Sequence, residues 1–275
     1  GVTVNISGLT ITGGFTADGV SGGGNGAGGG GISNSGMLNL TGVAVSGNQT
    51  GKGGDGGLFV GGDGGVGGGI SNDGTLTISN STISGNQTGS GGSGSPGGAG
   101  GFGGGIANVG TLTISNSTIS GNQTGSGGFG GGILNSVTLT ISNSTITGNT
   151  AGVGGGIRRS GGTVTLRSSI IAGNSAAGSP DIDNSVNSEG FNLIQSTSGA
   201  TINQTMNAST NITGVSAQLK ALADNGGPTK THALQCTSPV IDKGYSFGVT
   251  TDQRGGSRPF DLSDSVYPNA AAPGD

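Results

Sequence analysis

Apolar and polar residues alternate in a short segment that recurs along the first two thirds of the chain. In the copy TLTISNSTISGN, Leu76 and Ile78 fall on one side of an extended strand, and the threonines between and before them fall on the other. After a corner at Asn80, Ile83 returns to the apolar side. This period of two predicts β-strands, and helical spacing does not fit it.

A second segment, GGGI, precedes each copy and sets the frame of the repeat. Its isoleucines are Ile32, Ile70, Ile106, Ile133 and Ile157. The asparagine of the following Gly-Asn pair lies 16, 16, 16, 16 and 17 residues further on, whereas 22, 20, 11 and 8 residues separate that asparagine from the next isoleucine. The repeat therefore has a constant part, with three short strands around GGGI, TLTIS and STIS, and a glycine-rich part of variable length.

The apolar positions of successive repeats form columns. One column holds Val4, Leu38, Leu76, Leu112, Leu139 and Val164. A single repeat cannot bury its apolar side, so the repeats must stack, with equivalent strands about 4.8 Å apart. The sequence predicts an all-β parallel solenoid with a narrow aliphatic core, whose glycine-rich loops leave from one edge.

Asparagines occupy the predicted corners in the same register, and we expect their amides to hydrogen-bond from coil to coil. The first corner has Asn34, Asn72, Asn108 and Asn135. The second corner has Asn80, Asn116 and Asn143. The third corner has Asn48, Asn86, Asn122, Asn149 and Asn174. We predict a structural role for all twelve.

The repeat GGGISNDGTLTISNSTISGN resembles that of right-handed parallel β-helix proteins of the pectin-lyase-like and polymorphic outer membrane protein kind. The resemblance covers residues 1–200 and implies a right-handed β-helix. Further on, LADNGGPTKTHAL, SPVIDKG and TDQRGGSRP resemble the C-terminal segment of bacterial secreted β-helix proteins that is called a choice-of-anchor domain. That second resemblance implies attachment at a cell surface and no particular chemistry.

The C-terminal segment differs from the repeats in composition. Pro228, Pro239 and Pro259 interrupt a regular ladder, while residues such as Leu219 and Val240 supply apolar area to cover an open solenoid end. We predict a repeat region over residues 1–179, one or more irregular coils over 180–215, and an irregular cap or anchor-like segment over 216–275.

Composition excludes several classes of function. Glycine supplies 68 of 275 residues, and the nine Lys and Arg are scattered in a chain of formal net charge −4. Such a chain has no basic patch for nucleic acid or an anionic membrane, and no apolar run is long enough to span a bilayer. A single cysteine, Cys236, excludes an internal disulfide.

Catalytic chemistry has few candidate residues. His232 is the only histidine, which predicts a structural hydrogen-bonding role. Lyases and hydrolases of this fold need several Asp, Lys or Arg on one face. The best charged group here lies near the last two regular coils and consists of Arg158, Arg159, Arg167, Asp181, Asp183 and Glu189. We predict that the protein is not an enzyme and has no cofactor.

Three further features have two interpretations each. Asp55 and Asp63, in GGDGG segments, suggest a calcium site, but two carboxylates are few for that ion. The glycine-rich loops are either flexible linkers or extended threads that pack against one another. The TxT pairs are typical of solvated strands and also of ice-binding solenoids: Thr75/Thr77, Thr111/Thr113, Thr138/Thr140 and Thr163/Thr165.

The main functional hypothesis is a secreted or cell-surface β-helix with a structural or adhesive role, such as a subunit of an extracellular filament. Val4, Ile6 and Ile11 already occupy the repeat columns, so we expect the first coil to be open to upstream residues or to another subunit. The expected partners are a second copy stacked head to tail, or an extracellular surface or polysaccharide. A carbohydrate-active β-helix is the alternative, and ice binding is a minor one.

Overall fold

The computed structural model describes residues 2–207 and 210–258. Gly1, Pro259 and residues 260–275, to which some of the expectations above refer, lie outside them. The described chain is a right-handed parallel β-helix with three short strands per coil, as the repeat pattern predicts. Five complete coils follow a first coil of two strands, and two less regular coils follow them.

Face A of the solenoid is formed by the five-residue strands of the TLTIS segments. They are β1 (Thr3–Ser7), β4 (Met37–Thr41), β7 (Thr75–Ser79), β10 (Thr111–Ser115), β13 (Thr138–Ser142) and β16 (Thr163–Arg167). Neighbours pair in parallel without a shift of register, so Leu112 lies between Leu76 and Leu139. The constant part of the repeat is thus the part whose strands pair.

Face B follows the second corner and has the shorter strands of the STIS segments. They are β2 (Thr10–Thr12), β5 (Ala44–Ser46), β8 (Thr82–Ser84), β11 (Thr118–Ser120), β14 (Thr145–Thr147), β17 (Ile170–Ala172), β19 (Leu193–Ile194) and β21 (Ile212–Thr213).

Face C contains the GGGI segments. Its strands are β3 (Ile32–Asn34), β6 (Ile70–Asn72), β9 (Ile106–Asn108), β12 (Ile133–Asn135) and β15 (Ile157–Arg159). A longer strand, β18 (Ile182–Ser188), pairs with both β15 and β16 and so removes the corner between faces C and A. The next strand, β20 (Ala200–Gln204), pairs with β18 alone.

The core is a set of aliphatic columns inside the three faces. Ile78, Ile114 and Ile141 are fully buried, as are Ile83, Ile119 and Ile146 on face B. Burying such a side chain contributes about 1.5–3 kcal/mol, so each added coil brings its own apolar stabilisation. The inner columns predicted from the sequence are the columns that the structure buries.

The described part of the C-terminal segment, up to residue 258, lies along the side of the solenoid and not over its end. It forms a small antiparallel hairpin, β22 (Leu219–Ala223) and β23 (Thr231–Leu234), beside face B. The hydroxyls of Thr82 and Ser120 on face B hydrogen-bond to Lys230 and His232 of this segment. Polar side chains on the outer side of face B give the segment partners that the apolar end does not offer, so its described part runs back along the flank.

Candidate functional site

The first corner carries a ladder of buried asparagine amides. The Nδ2 of Asn72 donates to Oδ1 of Asn108 at 2.7 Å, and the same bond recurs in the neighbouring coils. Each Nδ2 also donates to backbone carbonyls at its own corner and in the next coil. These amides satisfy buried carbonyls that the turn leaves without a strand partner. The ladder comprises Asn34, Asn72, Asn108 and Asn135.

The third corner carries a second ladder in which each Oδ1 accepts two hydrogen bonds. Both the backbone N–H and the Nδ2 of Asn86 donate to Oδ1 of Asn122, and the pattern repeats from coil to coil. The ladder comprises Asn48, Asn86, Asn122, Asn149 and Asn174. It ends at Asp181, whose Oδ1 accepts from Asn174 and whose Oδ2 accepts from Ser196. Burial raises the pKa of the Asp181 carboxyl, and these hydrogen bonds partly offset that effect.

The asparagines of the second corner form no ladder, contrary to the prediction for Asn80, Asn116 and Asn143. They have positive φ values of 50°, 45° and 49°, a left-handed conformation that asparagine tolerates at a tight corner. In that conformation two of them donate outward to the C-terminal segment, from Asn116 to Thr251 and from Asn143 to Ser246. Their role is to turn the chain and to hold the segment on the flank.

The long glycine-rich loops, residues 49–69 and 87–105, pack with residues 15–30 into a bundle of extended threads. Their hydrogen bonds recur every three residues: the N–H groups of Gly61, Gly64 and Gly67 donate to Pro96, Ala99 and Phe102. A period of three is that of the polyproline II helix, which makes no hydrogen bonds within itself. Of the two interpretations of these loops, the structure therefore shows packed threads.

Glycine is required where threads meet. A Cβ on Gly62 would overlap the carbonyl oxygen of Gly24, and one on Gly54 would overlap that of Val20. Gly54 also donates to Gly24 and accepts from Gly62, so it contacts neighbours on two sides. Close backbone approach of this kind excludes any side chain.

The two loop carboxylates join threads to one another. Oδ1 of Asp55 accepts from the N–H and hydroxyl of Ser93, and these bonds lower the pKa of the Asp55 carboxyl. Oδ1 of Asp63 accepts from the N–H of Ala99. Among the described residues no group of three or more His, Cys, Asp or Glu side chains is placed to hold a metal ion.

The candidate charged group is brought together in pairs. Arg158 contacts Asp183 at 2.7 Å, and Arg167 lies 3.6 Å from Glu189. Arg158 also stacks on the ring of Phe129, with 4.4 Å from Cζ to the ring centroid. Asp181 is buried at the end of the third-corner ladder and does not face solvent with the others. Within the part of the chain that the structure describes, Arg159 makes no ion pair and donates to the carbonyl of Gly162 and the hydroxyl of Ser185. Two of the three arginines of this group are thus paired with carboxylates.

The TxT threonines form two outward columns on face A, in register over four coils. Outside those coils the columns change. Asn39 and Asn5 continue the second column at one end, and Asn187 and Asn203 continue it at the other. The threonine array is therefore short compared with the solenoid.

His232 fastens the C-terminal segment to face B. Its Nδ1 lies 2.7 Å from the carbonyl oxygen of Lys220, which can only accept, so Nδ1 carries the proton. Nε2, 2.8 Å from Oγ of Ser120, then accepts from that hydroxyl. In a hydrolytic triad a carboxylate holds the histidine, and the serine is open to substrate. Here a backbone carbonyl, that of Lys220, holds His232, and Ser120 is buried, so these residues do not form such a triad.

Acidification is expected to loosen this contact. Burial lowers the pKa of the His232 imidazole, and its bond to Lys220 offsets that only in part. Because the folded-state pKa lies below the unfolded value, the stabilisation is present above about pH 6.5 and is lost as the pH falls below it. The single histidine allows a direct NMR titration, in which we expect a midpoint below 6.5, and a midpoint above 6.5 would contradict the buried contact. His232→Gln is the non-titrating control for melting curves between pH 7.5 and 5.

No family model, curated protein or solved structure matches this chain. The repeat, its ladders and its loop bundle are therefore interpreted from their own geometry. Within residues 2–207 and 210–258 there is no helix with the length and apolar character of a membrane span.

The sequence pointed to the nine asparagines of the two ladders but not to the threonines beside them. Thr50 and Thr88 are buried one residue beyond the Gln of the GNQT segment, and each joins the solenoid to the loop bundle. Their repetition after Gly-Asn was the available signal, since a buried hydroxyl at a fixed place needs a partner.

Proposed function

We propose that this protein is a secreted or cell-surface structural β-helix that stacks head to tail into an extracellular filament. The observation that carries the proposal is the match between the two ends of face A. Asn5 on β1 and Asn203 on β20 belong to the same outward column, and Val4 and Ile202 belong to the same inward column. A second copy placed on β20 would continue both columns in register.

Both end strands have the character of pairing edges. Proteins commonly protect a free edge with charge, proline or a bulge. Neither β1, with sequence TVNIS, nor β20, with sequence ATINQ, contains a charged residue or proline. Among the described residues neither strand has a second partner, and the inward Val4 is 49% exposed.

Asparagine amides are already paired beside each end. Nδ2 of Asn39 donates to Asn5 at 2.8 Å, and Nδ2 of Asn203 lies 3.4 Å from Oδ1 of Asn187. Stacking would join these two short ladders into one, as asparagine side chains do in other strands that stack in register. A head-to-tail contact does not close on itself, so it would extend into a filament.

An adhesive role has support at the tip of the loop bundle. Leu58, Phe59 and Val60 are 92%, 74% and 57% exposed, at the end of a scaffold whose threads are held by backbone bonds. Exposed apolar groups of this kind commonly mark interaction sites. The resemblance to cell-surface β-helix proteins with an anchor-like C-terminal segment agrees with an extracellular location.

Two alternative functions have less support. Of the residues that would serve a lyase or hydrolase, two arginines are in ion pairs with Asp183 and Glu189, Asp181 is buried, and Arg159 is hydrogen-bonded within the protein. The threonine array that would bind ice covers four coils only.

Like charges at the junction are expected to prevent assembly. Asn5→Lys combined with Asn203→Lys would place two cations opposite each other, whereas Asn5→Lys with Asn203→Glu is the matched pair of opposite charges. We expect sedimentation velocity over a concentration series to show stacking for the unmodified and opposite-charge proteins and monomers for the like-charge protein. Electron microscopy should show filaments with an axial repeat of one subunit. An unmodified protein that stays monomeric at all concentrations would defeat the proposal.

A further inference from the structure

A column of buried threonines joins the solenoid to the loop bundle. The hydroxyl of Thr88 donates to the carbonyl of Gly101 in its own loop and accepts from the N–H of Gly125 in the next coil. Thr50 makes the equivalent pair of bonds, to Gly65 and from Gly89. Each of these hydroxyls is thereby satisfied twice.

Thr124 occupies the next position of this column and breaks the pattern. It is 5% exposed, and its Oγ1 has no hydrogen-bond partner. The residue of the next coil that is equivalent to Gly125 is Gly152, and its N–H donates to the carbonyl of Gly128 and not to Thr124. A buried hydroxyl without a partner costs about 1–3 kcal/mol, so Thr124 is a local weak point of this column.

Thr124 lines a groove with a volume of about 440 Å³, a size typical of ligand sites. The groove runs across coils two to five, between the third corner and the end of the loop bundle. Its lining is mostly amide, hydroxyl and glycine: Gln49, Lys52, Gln87, Thr88, Ser90, Gln123, Ser126 and Thr150 are among the residues there.

Glutamine amides stand in line along one wall. Gln49, Gln87 and Gln123 are bridged in parallel from coil to coil, so their side chains repeat at about 4.8 Å. Within the described part of the chain these side-chain amides make no hydrogen bond to the protein. Each offers a donor and an acceptor to a bound molecule.

We propose that this groove binds a neutral polysaccharide, with the glutamine amides hydrogen-bonding to sugar hydroxyls. Sugar hydroxyls both donate and accept, as the amides do, and the coil spacing is close to the length of one sugar residue. Lys52 is the one charged residue of the lining. A single cation is too few to balance a polyanion that carries a charge on every sugar residue.

An extended peptide fits the groove less well. The backbone of the third corner is already bridged between coils, so it offers no free strand edge to a peptide. The lining also lacks the apolar pockets that would hold alternate peptide side chains. All residues that line the groove belong to one chain. Binding in the groove therefore does not depend on the head-to-tail stacking proposed above.

Titration calorimetry with cellohexaose and maltohexaose, and with hexagalacturonate and a polar hexapeptide for comparison, tests the proposal. We expect at least one of the two neutral hexasaccharides to bind, and we expect no binding of hexagalacturonate or the hexapeptide. Gln87→Leu with Gln123→Leu should weaken binding by about tenfold or more, since each lost amide leaves sugar hydroxyls without partners. Absence of binding to both neutral probes, or preference for the anionic probe or the peptide, would overturn the proposal.

Thr124→Val is a control for folding. It removes a buried hydroxyl that has no partner in the protein and that the groove does not expose, so we expect an unchanged or higher melting temperature and unchanged affinity for the hexasaccharide. Thr88→Val is the matched variant, and it should lower the melting temperature because it leaves Gly101 and Gly125 without their partner. Unchanged affinity in the double glutamine variant would contradict the site.

Discussion

Replacing Gly101 by alanine is expected to destabilise the loop bundle by about 1–3 kcal/mol, the cost of overpacking a close-packed site. A Cβ at this position would overlap the carbonyl oxygen of Gly65 and lie 2.8 Å from Cβ of Thr88. Both contacts are with buried groups that cannot move without separating threads. The change should also break the bond from Gly101 to Gly89.

Gly97 gives the matched control in the same loop. It is exposed, and a Cβ there would meet only the carbonyl oxygen of Gly92 at 3.5 Å. Hydrogen exchange over residues 89–105 should therefore be slow in the unmodified protein and in Gly97→Ala, and fast in Gly101→Ala. Equal exchange in the two variants would contradict packed threads.

Replacing Ile114 by aspartate is expected to have the largest effect of any change considered, about 5 kcal/mol or more. Ile114 is fully buried between Ile78 and Ile141, so the new carboxylate would have neither water nor a partner. Because marginal stability is of the same order, we expect most of the protein to be unfolded at neutral pH by circular dichroism.

The pH dependence of the destabilisation by Ile114→Asp shows whether the buried charge is its cause. Burial raises the pKa of a carboxyl above its unfolded value, so the loss should be smaller at pH 4 than at pH 7. Thr113→Asp is the control, because Thr113 is exposed on the outer side of the same strand and its neighbours are threonines. Similar destabilisation by the two substitutions would contradict the assignment of inner and outer columns.

The regular coils could be predicted from the sequence because the repeat contains two independent periods. Alternation over two residues places Leu76 and Ile78 inward, and recurrence of GGGI and Gly-Asn aligns each coil with the next. In a stacked solenoid each strand contacts its own equivalent, so the column of a residue follows from its place in the repeat. The first-corner and third-corner asparagine ladders follow for the same reason.

The second corner and the groove could not be predicted in the same way. Asn80 resembles Asn86 in the sequence, yet its left-handed conformation turns the amide outward, and a segment more than 130 residues later supplies the partner of the equivalent Asn116. Thr124 has the same sequence neighbours as Thr88, yet its hydroxyl has no partner, because the N–H of Gly152 in the next coil donates to Gly128.

The sequence by itself determined the strands, their register and the inner columns, since these depend on contacts between equivalent positions of neighbouring coils. Only the tertiary structure decided where the C-terminal segment lies and how the glycine-rich loops pack. Both depend on contacts between residues that do not occupy equivalent positions of the constant part of the repeat. Examples are His232 with Ser120, and Gly62 with Gly92. Glycine carries no side-chain pattern, so the three-residue period of the bundle becomes visible only in its hydrogen bonds.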